Sequence, residues 1–350
     1  MAADRLVLFH RLNDEERIEC FEAKTGRSLW NHSYPTHYRD DFGFDEGPRA
    51  TPSIADGKVY THGAEGVLTC VEFETGKKFW NVDTKKEYGS AKGFFGIACS
   101  PLIEGPALLL IAGGHNGSSM VALDKQTGKL LWKGGDDDAS YSSPIAADLN
   151  GRRTVLFLGR SKLIGANPAS GEIFFTFPFG PPIRSSVTAA TPVVVDNYIF
   201  ISASYGAGAV LLQSTGSEVE KIWASDALAN HYATSILHNG FLYGIHGRTD
   251  PGFEPAASLR CIEMKTGKLR WEQKDFGAAI LTLLGDDLLI LTERGELLRA
   301  PASPESFLPK AKAQALPNQM RAHPALADGL FYARSKDKLF CLDLREKDQK

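Results

Sequence analysis

The chain has 350 residues, of which 43% are hydrophobic and 23% are charged, and its net charge is −3. A nearly neutral chain argues against recognition of nucleic acid or anionic membrane through bulk charge, and no apolar run reaches the roughly 20 residues of a transmembrane helix. The first residues, MAADRLVLFH, lack a basic leader before an apolar segment, so no signal peptide is predicted.

Two eleven-residue stretches near the start of the chain repeat one pattern. CFEAKTGRSLW ends at Trp30, and CVEFETGKKFW ends at Trp80. Weaker copies recur in steps of 43 to 52 residues and end at Trp132, Phe175, Trp223 and Trp271. A period in this range is typical of propellers, solenoids and other repeat arrays.

A second repeated phrase precedes each copy and consists of two short apolar runs around Asp-Gly, Asn-Gly or a similar pair. Such pairs favour tight hairpin turns because they accept a positive φ. The phrase occupies residues 50–63, 99–114, 142–159, 190–203, 233–247 and 322–335, and more weakly 280–295. With the Thr-Gly turn of the first pattern, each period is predicted to hold four strands, A to D in chain order, and no helix.

Four antiparallel strands in a period of this length predict a β-propeller blade. A single blade cannot bury its two apolar faces, whereas blades arranged around an axis cover one another. The tryptophans of strand D are therefore predicted to wedge against the neighbouring blade. Strand A would be the innermost edge, and its second position is predicted to be proline in five blades, at Pro52, Pro101, Pro144, Pro192 and Pro324.

The blade count follows from the two ends of the chain. Six complete sets of strands end near residues 80, 132, 175, 223, 271 and 316. The first segment supplies only strands B to D and the last only A to C, and the two cannot merge because both contain B and C. The sequence predicts an all-β, eight-bladed propeller, one domain over residues 1–350, with incomplete first and last blades that close by face-to-face packing. Seven blades is the alternative if the first segment packs irregularly.

The five cysteines are predicted to be small buried thiols rather than a disulfide framework. Four of them, at Cys20, Cys70, Cys261 and Cys341, occupy the same position of different repeats. Cysteines at equivalent positions of different blades are not expected to form disulfides with one another.

The phrases LDKQTGKLLW, TPSIADGKVY and NHYATSILHNGFLYGIHG resemble the PQQ-like β-propeller family, which shares the eight-bladed fold of quinoprotein alcohol dehydrogenases. The chain looks most similar to uncharacterised bacterial members, over nearly its whole length. For an active quinoprotein the resemblance implies a disulfide between adjacent cysteines, a Ca²⁺ held by Glu, Asn and a catalytic Asp, and a tryptophan stacked on the quinone. No two cysteines are adjacent here, Cys99 stands alone, and no positions match the catalytic set. We therefore expect neither PQQ nor Ca²⁺ as a cofactor.

Antiparallel strands alternate in direction, so the D-to-A connections and the B-to-C turns open on one face of the ring. That face is predicted to carry a funnel rich in His, Arg and Tyr, which would take a protein segment or a polar or anionic small ligand. The alternative is that these side chains only hydrogen-bond one another around the channel mouth. The funnel residues are Arg49, His115, Tyr141, Arg160, Tyr205, His231, Tyr232, His246 and Arg248.

No metal site is predicted on this face. His115, His231 and His246 lack the spacing of a zinc site. The acidic stretches YRDDFGFDEG (38–47) and GGDDDAS (134–140) lack the alternating ligands of a calcium loop, and both are predicted to be solvated turns.

The sequence thus predicts a non-catalytic binding or scaffolding propeller, and we expect a monomer. A PQQ-dependent alcohol or sugar dehydrogenase is the alternative. A hydrolase or lyase is a third class, which would need a carboxylate–histidine pair in the funnel. The resemblance implies the periplasm or cell envelope, because the relatives are mostly exported.

Overall fold

Eight separate antiparallel sheets follow one another along the chain in the computed structural model, which describes residues 2–183, 185–250, 252–318 and 320–345. Six sheets have four strands, and the first and last have three. Within every sheet each strand pairs with its neighbour in sequence, so the sheets are simple meanders. The predicted all-β, eight-bladed propeller with incomplete first and last blades is confirmed, and the seven-bladed alternative is wrong.

The strands of blades 1 to 4 are β1 (Arg5–Leu12), β2 (Glu15–Glu22) and β3 (Ser28–Pro35); β4 (Ser53–Ala55), β5 (Lys58–His62), β6 (Val67–Glu72) and β7 (Lys78–Asp83); β8 (Leu102–Glu104), β9 (Ala107–Gly114), β10 (Ser118–Asp124) and β11 (Leu130–Gly134); and β12 (Ile145–Leu149), β13 (Arg152–Leu158), β14 (Lys162–Ala166) and β15 (Ile173–Pro178).

The strands of blades 5 to 8 are β16 (Val193–Val195), β17 (Tyr198–Ala203), β18 (Gly208–Ser214) and β19 (Val219–Ser225); β20 (Ile236–His238), β21 (Phe241–His246), β22 (Ser258–Glu263) and β23 (Leu269–Gln273); β24 (Ala279–Leu284), β25 (Asp287–Thr292), β26 (Glu296–Pro301) and β27 (Ala311–Gln314); and β28 (Ala325–Ala327), β29 (Leu330–Arg334) and β30 (Leu339–Asp343).

One short helix, α1 (Thr84–Tyr88), interrupts the connection from blade 2 to blade 3 and was not predicted. Asp83 caps it by accepting a hydrogen bond from the Lys86 backbone N–H at 3.0 Å, and Gly89 ends it in the left-handed conformation. No helix in the described ranges is long and apolar enough to cross a membrane.

Burial follows strand position within the blade. Strands B and C are mostly buried, and every residue of Ala107–Gly114 is covered. Strand D lies outermost and alternates exposed with partly covered residues, as in Lys78–Asp83. The largest apolar cluster combines residues of blades 2, 3 and 4, so the core lies between the sheets and each blade depends on its neighbours.

The strand-D tryptophans pack on the following blade as predicted. Each indole Nε1–H donates to a backbone carbonyl of the next blade at 2.9–3.3 Å; the donor and acceptor pairs are Trp30–Phe73, Trp80–Lys125, Trp132–Pro168, Trp223–Met264 and Trp271–Ser303. Four of these rings lie directly on the glycine of the next C-to-D turn. A Cβ at Gly76, for example, would stand 2.4 Å from Trp30 Cε3. We call this arrangement the indole dock.

Blade 4 carries Phe175 in place of tryptophan, and the seam between blades 4 and 5 is held differently. Asn150 and Asn197 exchange hydrogen bonds, with the Asn150 backbone N–H at 2.7 Å from Asn197 Oδ1. The Asn150 side chain also donates to the Ser214 carbonyl. Polar side chains therefore replace the indole dock at this seam.

The inner edges of the blades are joined by hydroxyl groups. The Thr51 backbone N–H donates to Ser100 Oγ at 2.9 Å, the Ser100 N–H to Ser143 Oγ at 3.0 Å, and the Thr191 N–H to Thr234 Oγ1 at 2.9 Å. The five prolines lie immediately before strand A, rather than at its second position as predicted. A residue without an N–H is best tolerated just outside the ladder.

The ring closes by packing of blade 8 on blade 1, as predicted. Leu6 and Ala23 of blade 1 form one buried cluster with Leu330 and Tyr332 of blade 8. The Tyr332 hydroxyl donates to the Ala23 carbonyl at 3.1 Å. All five cysteines are free thiols, but Cys341 is exposed, so the prediction that all are buried is wrong at that position.

Candidate functional site

The face that carries the D-to-A connections and B-to-C turns, here called the loop face, holds the nine predicted funnel residues in separate groups. Arg49 and Tyr141 belong to one group. Tyr205, His231, Tyr232 and Arg248 form a second, which is the largest set of predicted residues that the structure brings together. His115 and His246 lie outside both, whereas Arg160 interacts electrostatically with Tyr141 of the first group. The contacts thus divide the predicted funnel residues between two main clusters.

The first group surrounds four phenylalanines that sequence reasoning missed, here called the aromatic cluster: Phe42, Phe44, Phe94 and Phe95. Phe42 lies 5.4–6.0 Å, between ring centroids, from each of the other three. Phe42 and Phe44 are 54% and 48% exposed. Large contiguous patches of exposed apolar side chains are uncommon on monomeric proteins, and they often mark interaction sites.

Asp40 fixes the loop that presents Phe42 and Phe44. Its buried carboxylate accepts hydrogen bonds from the backbone N–H groups of Phe42 at 3.2 Å, Phe44 at 2.8 Å and Asp45 at 3.1 Å. Backbone donors therefore occupy its oxygens, and the two aromatic side chains project from the tightened loop. The predicted solvated turn is wrong for this residue, because Asp40 organises the loop from inside.

Arg49 joins the loop to the rest of the aromatic cluster. Its guanidinium donates to the carbonyls of Phe95 at 2.9 Å and Asp45 at 2.8 Å and contacts Asp40 at 3.4 Å. It also lies 5.4 Å from the Phe95 ring centroid. A planar group with five donors can hold both loops at once.

Tyr141 holds the loop that carries Phe94 and Phe95. Its hydroxyl accepts the backbone N–H of Phe94 at 2.9 Å and of Phe95 at 3.2 Å, and its ring meets Phe95 edge to face. Burial raises the pKa of Tyr141, so the phenol stays neutral. Tyr141 and Arg49 thus position the phenylalanines.

A small cavity of about 170 Å³ opens beside the aromatic cluster. Tyr38, Arg39, Lys85 and Lys92 line it together with Glu65. The Lys92 ammonium lies 5.4 Å from the Tyr38 ring centroid. The cavity wall therefore carries more positive than negative side chains.

The second group is centred on His231, which is 6% exposed. Its Nδ1 accepts the Thr249 backbone N–H at 3.1 Å, so the ring proton is on Nε2, which lies 3.1 Å from the Tyr205 hydroxyl. That hydroxyl donates in turn to Asp250 at 3.2 Å. We call Tyr205, His231, Tyr232, Arg248, Asp250 and Arg321 the His231 cluster.

Burial sets the protonation states of this cluster. It lowers the pKa of His231 to about 4, against the opposing effect of Asp250, and raises the pKa of Tyr205 to about 12. At neutral pH the histidine is neutral and the tyrosine is protonated. The sequence did not reveal a carboxylate–histidine pair, but the structure brings Asp250 within 4.0 Å of His231 Nε2.

Arg248 covers the outer side of the His231 cluster. Its Nε donates to Asp250 at 2.6 Å, and its guanidinium carbon lies 4.3 Å from the Tyr205 and 4.0 Å from the Phe253 ring centroids. Tyr205 itself has a positive φ of 59°, uncommon for a residue with a side chain. The Arg248 guanidinium therefore stacks on the side chain of Tyr205, a residue whose backbone is strained.

The remaining three predicted residues have local partners. His115 is exposed, and its Nε2 lies 3.9 Å from Asp138. Arg160 donates to Ser186 Oγ at 3.4 Å. His246 Nδ1 accepts the Ala229 N–H at 3.1 Å, and burial lowers its pKa to about 4.

The tryptophans, one of which the resemblance would stack on a quinone, have structural partners in this ring. In the described part of the chain, no three His, Cys, Asp or Glu side chains come together in a way that could hold a metal ion. All five tryptophans donate to carbonyls of the next blade, and Cys99 is fully buried. In the second acidic stretch, Asp137 accepts the N–H groups of Ser161 and Lys162, so it too is a buried anchor and not a solvated turn residue.

The phenylalanines of the aromatic cluster could have been noticed in the sequence. FGF at residues 42–44 and FF at 94–95 place four phenylalanines within two D-to-A connections. Apolar residues in such loops need a partner to cover them. Their meeting across the gap between the loops could not be read from the sequence.

Comparison with known proteins gives one family match and related sequences. A family model described as "Outer membrane protein assembly factor BamB" matches residues 14–273. The quinoprotein alcohol dehydrogenase PedH of Pseudomonas putida is 30% identical over 142 residues, which are 38% of this chain and 23% of that enzyme. The match thus spans less than a quarter of the dehydrogenase.

Two solved structures share the fold over most of this chain. BamB from Moraxella catarrhalis superposes with a TM-score of 0.69 at 16% identity, covering 97% of this chain and 98% of that one. The quinohemoprotein alcohol dehydrogenase from Comamonas testosteroni gives a TM-score of 0.64 at 14% identity, covering 93% of this chain and 68% of that one. At these identities the likeness concerns the fold alone.

Proposed function

The chain belongs to the family described as outer membrane protein assembly factor BamB, and on that premise we propose that it is a non-catalytic scaffold that holds an extended segment of a partner protein on its loop face. We place it in the periplasm or cell envelope, in line with the family description. We further propose that it acts as a monomer.

The aromatic cluster is the observation that carries this proposal. Phe42 and Phe44 expose about half of their surface on a loop that Asp40 and Arg49 hold rigid. A prearranged apolar patch loses little entropy on binding and supplies the aromatic anchors that dominate protein interfaces. Burying the exposed half of both rings would contribute about 3 kcal/mol or more at about 25 cal/mol per Å².

The cavity beside the aromatic cluster supports a segment with a polar or anionic group next to its apolar residues. Arg39, Lys85 and Lys92 face it against Glu65. Arg39 and Lys92 are already paired with acidic residues, so the positive excess is modest. The apolar contact would supply most of the affinity, and the cavity would orient the segment.

The His231 cluster supports binding rather than catalysis. A general acid or base works best with a pKa near the operating pH. The pKa of His231 is about 4 and that of Tyr205 about 12, and both are engaged with Thr249 or Asp250. We propose that this cluster holds the loops of blades 5 and 6 in place and offers the exposed part of Arg248 to a ligand.

A PQQ-dependent oxidoreductase remains the competing function, favoured by the 30% identity to PedH over 142 residues. This function requires PQQ, Ca²⁺ and an alcohol substrate, and each requirement can be tested directly. Titration with PQQ and Ca²⁺ followed by absorbance, together with reduction of an electron-accepting dye in the presence of alcohols, should show no bound quinone and no turnover. Quinone-dependent dye reduction would overturn the scaffold proposal.

The scaffold proposal is tested with peptides displayed on phage. Random 12-residue peptides selected on the unmodified protein should be rich in apolar residues and should bind the Phe42→Ala/Phe44→Ala variant about a hundredfold more weakly, which corresponds to about 3 kcal/mol. Phe79→Ala is the matched control, because Phe79 is also 48% exposed but lies on an outer strand. Equal binding to all three proteins would refute the role of the aromatic cluster.

A further inference from the structure

The His231 cluster holds an arginine whose side chain contacts two aromatic rings. The Arg248 guanidinium carbon lies 4.3 Å from the ring centroid of Tyr205 and 4.0 Å from that of Phe253. Both distances are short for cation–π pairs, which extend to about 6 Å. A planar guanidinium that packs on two rings has little freedom to rotate, so its orientation is largely fixed before a ligand arrives.

Asp250 occupies only part of the donor capacity of Arg248. The Arg248 Nε–H donates to the Asp250 carboxylate at 2.6 Å, which is the one hydrogen bond that Arg248 makes with good geometry among the described residues. The Tyr205 hydroxyl is another polar neighbour. A guanidinium has five N–H donors, so donors on the two terminal nitrogens are left for a ligand. The Arg248 side chain is 32% exposed, and a ligand can reach them.

A second guanidinium lies against the same stretch of chain. Arg321 donates from Nη2 to the carbonyl of Thr249 at 3.0 Å, and from Nε to Glu293 at 2.6 Å. Burial lowers the pKa of His231 to about 4, so this histidine adds no charge near pH 7. The two guanidinium groups of the cluster are thus matched by two carboxylates. A site with balanced charges selects its ligand by hydrogen-bond geometry more than by net charge.

The free donors define the chemical class of ligand that fits. Two parallel N–H groups of a guanidinium match the two oxygens of a carboxylate. A carboxylate brings one negative charge to this balanced site, whereas a phosphate group brings about 1.5 to 2 at pH 7. A carboxylate is therefore favoured over a phosphate.

We propose that Arg248 anchors a carboxylate-binding site on the loop face, and that its ligand is an acidic side chain of the bound partner segment. The identity of the carrier rests on the proposed function. The site itself does not, because Arg248 lies between strands β21 and β22 of blade 6, whereas the aromatic cluster belongs to connections that precede blades 2 and 3. Either surface can therefore fail without the other.

Acetate is the probe for the site itself. In amide NMR spectra of the full chain, sodium acetate should shift the backbone signals of Tyr205 and Phe253 in a saturable manner, and sodium chloride at the same ionic strength should not. Arg248→Lys keeps the charge but lacks the paired donors, so it should weaken acetate binding at least about fivefold. Shifts that chloride reproduces, or tighter binding of sodium phosphate than of acetate, would refute the proposal.

Two further variants separate the guanidinium from its surroundings. Phe253→Ala removes one of the two rings and leaves the charge, so acetate affinity, measured at the Tyr205 amide, should fall about threefold as the guanidinium regains freedom. Arg152→Lys is the matched control, because Arg152 also lies over a ring, 4.5 Å from the Phe174 centroid, but at an A-to-B turn. Acetate should bind this control as it binds the unmodified protein. Equal acetate binding by Arg248→Lys and Arg152→Lys would contradict the assignment.

Peptides selected on the unmodified protein identify the carrier of the carboxylate. Replacing the acidic residue of such a peptide by its amide should weaken binding to the unmodified protein about tenfold and binding to Arg248→Ala hardly at all. The Phe42→Ala/Phe44→Ala variant should still bind acetate normally, so lost peptide binding with intact acetate binding would count against the aromatic cluster alone. Acetate binding without such coupling in any peptide would overturn the partner segment as carrier and assign the site to a free small acid.

Discussion

Alanine at Gly76 should destabilise the ring much more than alanine at Gly26, although the two glycines occupy the same turn of neighbouring blades. Their φ angles are 72° and 71°, so the local backbone cost of a side chain is the same. The difference lies in the preceding blade. A Cβ at Gly76 would stand 2.4 Å from Trp30 Cε3, whereas nothing described lies within 4 Å at Gly26.

The magnitude follows from the contacts of Trp30. Alanine in a left-handed conformation costs about 1 kcal/mol, of which about 0.5 is recovered because the unfolded chain loses freedom. At Gly76 the indole must also move, which breaks its 3.0 Å hydrogen bond to the Phe73 carbonyl at about 1 kcal/mol. The loosened packing adds about 1–2 kcal/mol. We expect losses of about 3 kcal/mol at Gly76 and about 0.5 kcal/mol at Gly26.

Urea unfolding of the two variants, followed by far-UV circular dichroism, measures the difference in free energy of unfolding. A double-mutant cycle with Trp30→Ala should show strong coupling to Gly76→Ala, because removal of the indole relieves the clash. Equal losses at the two glycines, or additive effects of Gly76→Ala and Trp30→Ala, would refute the reasoning that the indole dock holds the blades together.

Three further changes test other parts of the ring. Burial lowers the pKa of His62 to about 4, so the unfolded chain binds the proton first as pH falls below 6.5. His62 alone should lower the free energy of unfolding by up to about 3 kcal/mol between pH 6.5 and 4, and His62→Gln should reduce the pH slope by that share in urea titrations, while His231 and His246 keep theirs. Asp40→Ala removes the acceptor of three backbone N–H groups, so the amides of residues 42, 44 and 45 should exchange hydrogen at least about tenfold faster, with weaker peptide binding. Ser100→Ala removes the acceptor of the Thr51 N–H at the inner edge and should lower the free energy of unfolding in urea by about 0.5–1 kcal/mol, because water can replace this acceptor.

Each of these has a contrary outcome. An unchanged pH slope in His62→Gln would mean that His62 is not the buried neutral group. Unaltered exchange in Asp40→Ala would mean that the loop is held by other contacts. A Ser100→Ala protein as stable as the original would mean that the inner hydroxyl groups do not join the blades.

The repeat made most of the fold predictable. Blades 1 to 6 share a turn glycine and a strand-D aromatic, and the spacing of these residues is visible in the sequence. The prediction of Trp30 and its equivalents as wedges is confirmed in detail by the hydrogen bonds to the next blade. The boundaries were less accurate: the prolines lie just before strand A, and the helix Thr84–Tyr88 was not foreseen.

The candidate site was less predictable because it depends on loops that follow no period. Tyr205, His231, Tyr232 and Arg248 were expected on one face, and the structure brings them together. Asp250, which links Tyr205 with Arg248, was not identified. The aromatic cluster was missed because YRDDFGFDEG was interpreted by its charges, whereas the buried Asp40 uses its charge to shape the loop.

By itself, the sequence favoured eight blades over seven and identified the strands within them and the aromatic residues that join successive blades, because these depend on spacing along the chain. Only the tertiary structure decided which loop residues meet and how far each position is buried. Cys341 shows the reason: it occupies the same position in its repeat as three buried cysteines, yet its exposure depends on what lies beside its blade. Burial depends on the neighbours of a residue in space, and its position in a repeat does not by itself specify those neighbours.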